Sequence, residues 1–485
     1  MNAYFDLHVH PSQKSFLSST RPADRENCWK TYSNSLSIRL RSQASFSQLQ
    51  QGGVVIAVAN VHAIERPMTS SFIMDHVLHL VSSLDKKVMD IPSYSNSFDQ
   101  ILDEIKHLKQ SLRTDLMPPD AKPVKIINSL ADLDEHSLNL ILAVEGGHCL
   151  ESVDRSLLEN FRLLKEKGPR MLYLTLTHFT QFPLTTQAYA FSMLKDNDEF
   201  KPKGFGLTPL GKQVIDMAYD DTIGHRTFID IKHMSVVSRF HFYEYRREKG
   251  YQNIPILASH VAVTGISRDP RVITSYFKER AVRRDDFVEV NYHRPRGIGK
   301  GLFNKTYFNP WSLNLYDEDV VEVLDSGGLL GINLDQRILG VQEVKGEYFS
   351  LKDLNFMLHD YKGTEVEAPF DSGEFTDELV AETRDLDERK HLRHLCNNIL
   401  HIIKIGGERA WKHLCIGSDF DGLIDPVNNC CDVTEFSKLE AGLISMLPEM
   451  MEEDEDHTYD SSNIEGKVRG MMYDNALAFL KEHFR

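Results

Sequence analysis

The sequence contains no apolar run long enough to cross a membrane. A membrane-spanning helix needs about 20 consecutive, mostly apolar residues, and no segment of the 485 residues approaches that length. The opening residues, MNAYFDLHVHPS, also lack the basic and apolar regions of a secretory signal peptide. We therefore expect a protein without a membrane span, located in the cytoplasm.

Cysteines are few and are not spaced for a disulfide framework or a C-x-x-C metal site. The chain has six of them, and only Cys430 and Cys431 lie close together in sequence. Secreted disulfide-stabilised domains are small and rich in cysteine. The pattern predicts reduced thiols, as in a cytoplasmic protein.

A surplus of basic residues is also absent. The chain carries 55 Lys and Arg against 71 Asp and Glu, a formal charge of -16 at pH 7. General nucleic-acid binders need clustered positive charge for the phosphate backbone, so this class is excluded. The hydrophobic share of 41% and the charged share of 26% are typical of a folded protein with a large core and exclude disorder of the whole chain.

Short apolar runs that end in a polar or ionisable residue recur along the chain. Helical spacing separates many of them, which is typical of alternating strands and helices in a parallel sheet. The eight predicted strands are residues 3–7, 53–59, 140–144, 171–177, 227–231, 254–259, 329–332 and 413–418. Eight such units favour a closed (β/α)8 TIM barrel over an open doubly wound sheet.

Helix signals support this α/β assignment. Thr208 and Pro209 predict the start of a helix that continues to about Tyr219. A second helix is predicted from Asp154 to Lys167, and a third from about 386 to 405, followed by two glycines. Each of these helices lies between two predicted strands, as a repeating strand and helix unit requires.

Three connections are much longer than the others. They are insertions at about 61–138, 267–317 and 340–385, after strands 2, 6 and 7. Connections that follow strands lie on the face where a barrel carries its site. The insertion after strand 6 is rich in Arg, Gly and aromatic residues, which suits either part of a substrate wall or an ordinary ordered excursion. We expect residues 1–485 to form a single barrel domain.

The first predicted strand leads into His8-Val9-His10. Residues two apart on an extended chain face the same side, so both imidazoles can bind one ion. Ionisable residues also follow the other predicted strands: Glu145, His178, His233, His260 and Asp419. All strand ends of a closed barrel open onto one rim, so these groups should converge.

Imidazole and carboxylate ligands without thiolate are typical of a hydrolytic site for Zn²⁺, Mn²⁺, Fe²⁺ or Co²⁺. Burying this many polar groups costs several kcal/mol unless they bind an ion or one another. Two glycines follow Glu145, which form either a plain turn or a close backbone approach to an ion or substrate. We interpret Asp421 as a turn residue. Asp419, the first residue after the predicted strand, is the one positioned for catalysis.

Seven stretches in order along the chain resemble the membrane (renal) dipeptidase family, the zinc-dependent peptidases of group M19 within the metal-dependent amidohydrolases. They are residues 5–11, VEGGH at 144–148, RMLYLTLTH at 170–178, GLTPLG at 206–211, IDIKHMS at 229–235, PILASH at 255–260 and CIGSDFDG at 415–422. The three insertions have no counterpart in this resemblance.

The resemblance implies a role for each strand-end residue. His8 and His10 would bind one zinc ion, Glu145 would bridge two ions, and His233 and His260 would bind the second. Asp419 would act as the acid and base, and His178 would polarise the scissile carbonyl. Zn²⁺, with about two ions per chain, is the implied cofactor, and another divalent metal is the alternative.

The sequence departs from the family at two points. The dipeptidases carry Asp where this chain has His10, which makes the site one unit more positive. The arginine that binds the substrate carboxylate is expected shortly after His260, and the candidates there are Arg268 and Arg271. An arginine can hold a carboxylate with two hydrogen bonds.

The function predicted from these residues is hydrolysis of a peptide or amide bond in a small substrate by a metal-activated hydroxide, as in a dipeptidase. Another amidohydrolase activity, on an N-acyl amino acid, a lactam or a lactone, uses the same site and stays open. A non-catalytic metal-binding barrel and a partner-binding scaffold are the other hypotheses. We expect a small peptide or amide as partner and no nucleic acid. Self-association into a homo-oligomer stays open.

Overall fold

A computed structural model describes residues 2–19, 21–33, 41–69, 97–190, 197–283, 286–344, 346–358 and 384–485. Parts of all three predicted insertions, at 70–96, 284–285, 345 and 359–383, lie outside these residues. The described strands are β1 (Tyr4–Val9), β2 (Val54–Val61), β3 (Val124–Ile126), β4 (Leu138–Val144), β5 (Met171–Thr175), β6 (Phe228–Asp230), β7 (Ile256–Val261), β8 (Phe277–Arg283), β9 (Phe287–Tyr292), β10 (Leu329–Ile332), β11 (Glu347–Ser350) and β12 (Leu414–Ile416).

Eight of these strands form a parallel sheet in the order β1-β2-β4-β5-β6-β7-β10-β12. The first and last strands meet beyond their ends, where Val9 bridges Phe420 and the amide of Asp419 donates to the carbonyl of His8 at 2.9 Å. The sheet is therefore a nearly closed barrel with flanking helices, which confirms the predicted fold class and all eight predicted strands. Their side chains are almost all buried, as expected where helices cover a parallel sheet.

The described α-helices are Gln13–Phe16, Phe46–Gln51, Arg66–Thr69, Ser97–Ser111, Leu157–Lys167, Pro209–Tyr219, Val236–Lys249, Pro270–Ser275, Gly301–Asn304, Asp317–Asp325, Leu351–Leu358, Arg384–Gly406, Phe436–Glu453, Ile464–Arg469 and Asn475–His483. None of them is long and apolar enough to span a membrane. Apolar side chains near the strand beginnings share a buried cluster with the last helix, including Phe5, Phe228 and Phe479. This helix covers the end of the barrel opposite the strand ends.

Helix caps explain where the predicted helices start. Thr208 accepts a hydrogen bond from the amide of Gly211 at 3.1 Å, and Pro209 occupies the first turn, as predicted. The helix predicted from Asp154 begins instead at Leu157. Ser156 and Glu159 form a reciprocal capping box there, which satisfies two free amides and fixes the start.

The insertions contain strands that the sequence did not predict. β3 pairs in parallel with the first residues of β4, beside the main path of the barrel sheet. β8 and β9, from the insertion after strand 6, pair in antiparallel fashion, and β11, from the insertion after strand 7, pairs with β9. Two insertions thus combine into a small sheet of their own.

Candidate metal centre

The seven residues predicted from strand ends converge at one end of the barrel. His8 lies in β1, His260 lies in β7, and the others follow the ends of β1, β4, β5, β6 and β12. The side chains of the six residues other than Asp419 are at most 7% exposed, and the Asp419 side chain is 17% exposed. The shared rim of parallel strands therefore brings together residues that are far apart in sequence.

Four of these side chains form a compact donor set. The Nε2 atoms of His8 and His10 are 3.1 Å apart. Glu145 oxygens lie 3.6 Å from Nε2 of His8 and 3.3 Å from Nε2 of His10, and Oδ1 of Asp419 lies 3.7 Å from each. Ligands at zinc distances of about 2.0 to 2.1 Å in a tetrahedron are about 3.3 to 3.4 Å apart. The separations among His8, His10 and Glu145 are close to this spacing, and Asp419 lies slightly farther away, beside the three donors.

A second donor set meets the other oxygen of the same carboxylate. Oε1 of Glu145 lies 3.2 Å from Nε2 of His233, 3.4 Å from Nε2 of His260 and 3.7 Å from Nε2 of His178. Oε2, by contrast, faces His10. His8 also lies 3.6 Å from Oε1, so Glu145 is surrounded by five imidazoles, with Oε2 towards His10 and Oε1 towards the others. One carboxylate in this position can serve two cations.

Hydrogen bonds fix which nitrogen of His8 and His260 faces the donor set. The Tyr173 hydroxyl donates to the carbonyl of Leu7 and accepts from Asn60, so Nδ1 of His8 donates to it at 2.9 Å. Nδ1 of His260 likewise contacts Ser259 at 2.8 Å, whose hydroxyl donates to Asp230. In both rings this leaves Nε2 free to bind a metal, the usual arrangement around a metal-ligating histidine.

Burial and neighbouring charges shape the titration of these groups. Burial lowers the pKa of His8 to about 4 and that of His233 to about 3, which favours the neutral form that binds metal. Burial opposes ionisation of Glu145, but His8 and His178 outweigh it and hold its pKa well below the ordinary value. Burial, with Glu145 nearby, raises the pKa of Asp419 well above its ordinary value.

His10 behaves differently from His8. Burial lowers its pKa, but the contact with Glu145 outweighs burial and raises the pKa above the ordinary value. A cation bound between the two residues would replace the proton that they share, because metal binding requires a neutral imidazole and releases protons.

Two of the site residues adopt an unusual backbone conformation. His233 has φ of 66° and Asp419 has φ of 62°. This left-handed region disfavours residues with a side chain, and non-glycine residues held there concentrate at functional sites. Asp421 also has a positive φ, of 68°, and its carboxylate accepts from the amides of Gln43 and Ala44. Asp421 thus joins the turn after β12 to the segment at Gln43 and Ala44.

The structure adds residues at the centre that sequence reasoning missed. The rings of His62 and His178 are 4.4 Å apart, and Nδ1 of His62 bonds to the carbonyl of Glu145 at 2.9 Å. Glu65 is 3% exposed and contacts Nδ1 of His178 at 3.1 Å. Both follow β2, where only Asn60 marks the predicted strand end. The polar residues His62 and Glu65, which follow Asn60 in the sequence, were the signal that could have identified them.

Lys232 is another buried charged group at the centre. It is 2% exposed, and its ammonium has no hydrogen-bond partner among the described residues. Burial lowers its pKa to about 8, against the attraction of Asp419, Asp230 and Glu145. It lies two residues after the buried Asp230, in the inward register of β6.

The two candidate carboxylate-binding arginines are not brought into this donor set. Arg271 has a 77% exposed side chain that pairs with Asp269. The guanidinium of Arg268 lies over the Phe240 ring, and one of its nitrogens is 3.8 Å from Asp319. Binding of a substrate carboxylate by either arginine stays a prediction.

Comparison with known proteins points to one family. A family model described as membrane dipeptidase (peptidase family M19) matches residues 21–294, more than half of the chain. This match includes Glu145, His178, His233 and His260. No curated protein matches the chain at a significant level.

Solved structures share the fold at low sequence identity. A metallopeptidase from Rhodobacter sphaeroides, liganded with a phosphinate mimic of the dipeptide L-Ala-D-Ala, is 14% identical with a TM-score of 0.54. Dipeptidase AC, a metallopeptidase of family M19, is 14% identical with a TM-score of 0.53. Both matches cover 100% of this chain and 99% of the other. The probable dipeptidase PvdM from Pseudomonas aeruginosa, also 14% identical, has a TM-score of 0.53, and the match covers 99% of this chain and 95% of the other.

Proposed function

The chain belongs to the membrane dipeptidase family, peptidase family M19, and we propose that it hydrolyses dipeptides at a centre of two Zn²⁺ ions. The chain is a metal-dependent hydrolase of the dipeptidase type. The residues assigned to the ions are His8, His10, Glu145, His233 and His260. The residues assigned to catalysis are Asp419 and His178.

The position of Glu145 carries this proposal. Oε2 faces His10 at 3.3 Å, and Oε1 lies 3.2 to 3.7 Å from the Nε2 atoms of the other four imidazoles, those of His233, His260, His8 and His178. A buried carboxylate so placed suits two cations better than one. Imidazole and carboxylate donors with tetrahedral spacing favour Zn²⁺, while Mn²⁺, Fe²⁺ and Co²⁺ accept the same donors.

When bound, zinc lowers the pKa of a coordinated water towards neutrality and polarises a carbonyl oxygen. The protein supplies the remaining steps. Asp419 Oδ1 lies beside both first-site imidazoles, where it can take a proton from the attacking water and pass it to the leaving amine. His178 faces the same space and stabilises the developing negative charge on the carbonyl oxygen.

The proposed substrate class rests on the family. The Rhodobacter relative is liganded with a phosphinate mimic of L-Ala-D-Ala, so this dipeptide is the first substrate that we propose to test. Arg268 or Arg271 would bind its carboxylate. Such a role requires rearrangement of the ion pairs that these arginines make with Asp319 and Asp269.

The proposed location is the cytoplasm. All six cysteines lie among the described residues and are free thiols, five of them buried. This arrangement is expected in a reducing compartment.

The test is hydrolysis of a dipeptide panel, including L-Ala-D-Ala, by the metal-loaded wild type and by Asp419→Asn. The wild type should release free amino acids, and Asp419→Asn should be inactive at an unchanged metal content, because the amide cannot accept the proton. Equal inactivity of both proteins over the whole panel would contradict the dipeptidase assignment. Equal activity of both would remove Asp419 from the mechanism.

A further inference from the structure

Glu65 lies four residues beyond the end of β2 and is 3% exposed. Its two carboxylate oxygens have different partners. Oε2 contacts Nδ1 of His178 at 3.1 Å. Oε1 accepts from the amide of Phe179 at 2.8 Å and from the amide and hydroxyl of Thr180 at 3.2 and 3.3 Å. One oxygen therefore holds the loop after β5, and the other holds the imidazole ring.

This contact determines which way His178 points. An ionised carboxylate only accepts hydrogen bonds, so Nδ1 of His178 carries a proton in this contact, and the ring donates to a carbonyl oxygen from Nε2 when that nitrogen carries a proton as well. Nε2 then lies on the opposite side of the ring, 3.7 Å from Oε1 of Glu145. The ring also packs against those of His62, Phe179 and His233, with centroids 4.4, 3.7 and 4.5 Å away. These rings restrict the tilt of the His178 ring, and Glu65 fixes its rotation about the Cβ–Cγ bond.

We propose that Glu65 is a positioning residue of the reaction, which holds Nδ1 of His178 so that Nε2 stays turned towards Glu145 and the carbonyl of a bound substrate. This inference rests on the proposed function and deepens it, because it names the group that orients the carbonyl-polarising imidazole. Displacements of about 1 Å in a catalytic group can reduce turnover about 100-fold. A buried carboxylate at hydrogen-bond distance is well suited to prevent such a displacement.

A purely structural role for Glu65, through the Phe179 and Thr180 amides, is the competing explanation. The two roles predict different effects of removing Glu65 when His178 is absent. A positioning residue acts only through the ring, so its removal has no effect once the ring is gone. A loop anchor would lower stability and activity whether or not His178 is present.

The first experiment observes the ring directly and needs no turnover. In the ¹H–¹⁵N spectrum of the zinc-loaded wild type, His178 should show an Nδ1–H resonance protected from exchange with solvent. Glu65→Ala should remove this protection, and Glu347→Gln, which changes another buried carboxylate that binds a loop amide, should retain it. A protected resonance that persists in Glu65→Ala would overturn the proposal.

The second experiment is a double-mutant cycle on dipeptide hydrolysis. Glu65→Ala should lower kcat about 100-fold with little change in KM, and His178→Ala should lower kcat by at least as much. The double variant should be no slower than His178→Ala alone, because residues that act as a unit are not additive. Additive losses, or a Glu65→Ala defect in KM alone, would assign Glu65 to loop anchoring.

Two controls separate failure of this inference from failure of the proposed function. Metal content and thermal unfolding of each variant show whether a lost rate reflects a lost centre or a lost fold. If the zinc-loaded wild type hydrolyses no dipeptide, the proposed function fails, and the Nδ1–H resonance alone decides whether Glu65 holds His178.

Discussion

Oε2 of Glu145 lies 3.3 Å from Nε2 of His10, while Oε1 of the same carboxylate faces His233 at 3.2 Å. His10 therefore belongs to one half of the donor set, and Glu145 belongs to both. Substitutions at these two positions should accordingly have different effects on metal binding.

We expect Glu145→Ala to remove both ions and His10→Ala to remove one. The carboxylate is shared between the two sites, whereas the imidazole serves only the first. Elemental analysis of protein purified without chelator should give about two ions per wild-type chain, about one for His10→Ala and close to none for Glu145→Ala. A wild-type content of one ion that His10→Ala leaves unchanged would mean that the first site does not bind metal.

Tyr173→Phe should weaken metal binding without changing any proposed ligand. The Tyr173 hydroxyl accepts the Nδ1–H of His8, and loss of such a partner typically lowers metal affinity 10- to 100-fold. Competition with a chromophoric chelator measures the change. Tyr243→Phe is the matched control, since its buried hydroxyl donates to Asp319, in the helix Asp317–Asp325, and not to a proposed metal ligand. An equal effect of both variants would mean that stability, and not ligand orientation, is responsible.

Lys232→Met should strengthen metal binding by about tenfold or more. The variant removes a buried positive charge beside the cations, and about 1.4 kcal/mol of repulsion corresponds to a factor of ten. Lys201→Met is the control, because Lys201 is also buried but pairs with Asp198 at 2.6 Å. The same chelator competition serves as the readout. Weaker metal binding in Lys232→Met would show instead that Lys232 supports the centre.

Glu347 predicts a pH dependence of stability that is independent of the metal. Burial raises the pKa of this carboxyl from 4.5 to about 8, although Ser312 and Tyr292 donate hydrogen bonds to it. Between these two values the folded state retains a proton that the unfolded state has lost. The stability that this group contributes is therefore present below about pH 4.5 and is lost as the pH rises to about 8.

Glu347→Gln removes this titration, so its stability relative to the wild type should rise with pH across the same range. Each unit of pKa difference corresponds to roughly 1.4 kcal/mol. Denaturant unfolding of both proteins at several pH values measures the difference, and the titration of the metal ligands, common to both proteins, cancels. A difference that does not change with pH would contradict the raised pKa.

The sequence predicted the barrel and its centre because both depend on local patterns. Each strand is a short apolar run, and each of the seven candidate residues lies at or just beyond a strand end, so closure of the barrel is enough to bring them together. The left-handed conformations of His233 and Asp419 were not predictable, since neither residue is glycine.

The remaining features depend on pairings between distant segments. The small sheet joins β9 to β11, which come from two insertions with a barrel strand between them, and no local pattern specifies such a partner. Glu65 and His62 follow a strand whose end is marked by Asn60, and only the folded loop turns them towards His178. The ion pair of Arg268 with Asp319 likewise joins residues that are far apart in the sequence. Only the pair of Arg271 with Asp269 is local.

The central claim is that dipeptide hydrolysis depends on metal bound at Glu145 and the surrounding imidazoles. Its most direct test is the rate of L-Ala-D-Ala hydrolysis by protein stripped with a chelator and then titrated with Zn²⁺. We predict no hydrolysis in the stripped protein and a rate that rises until about two ions per chain are bound. A rate that chelation leaves unchanged, or no hydrolysis at any zinc loading, would contradict the account.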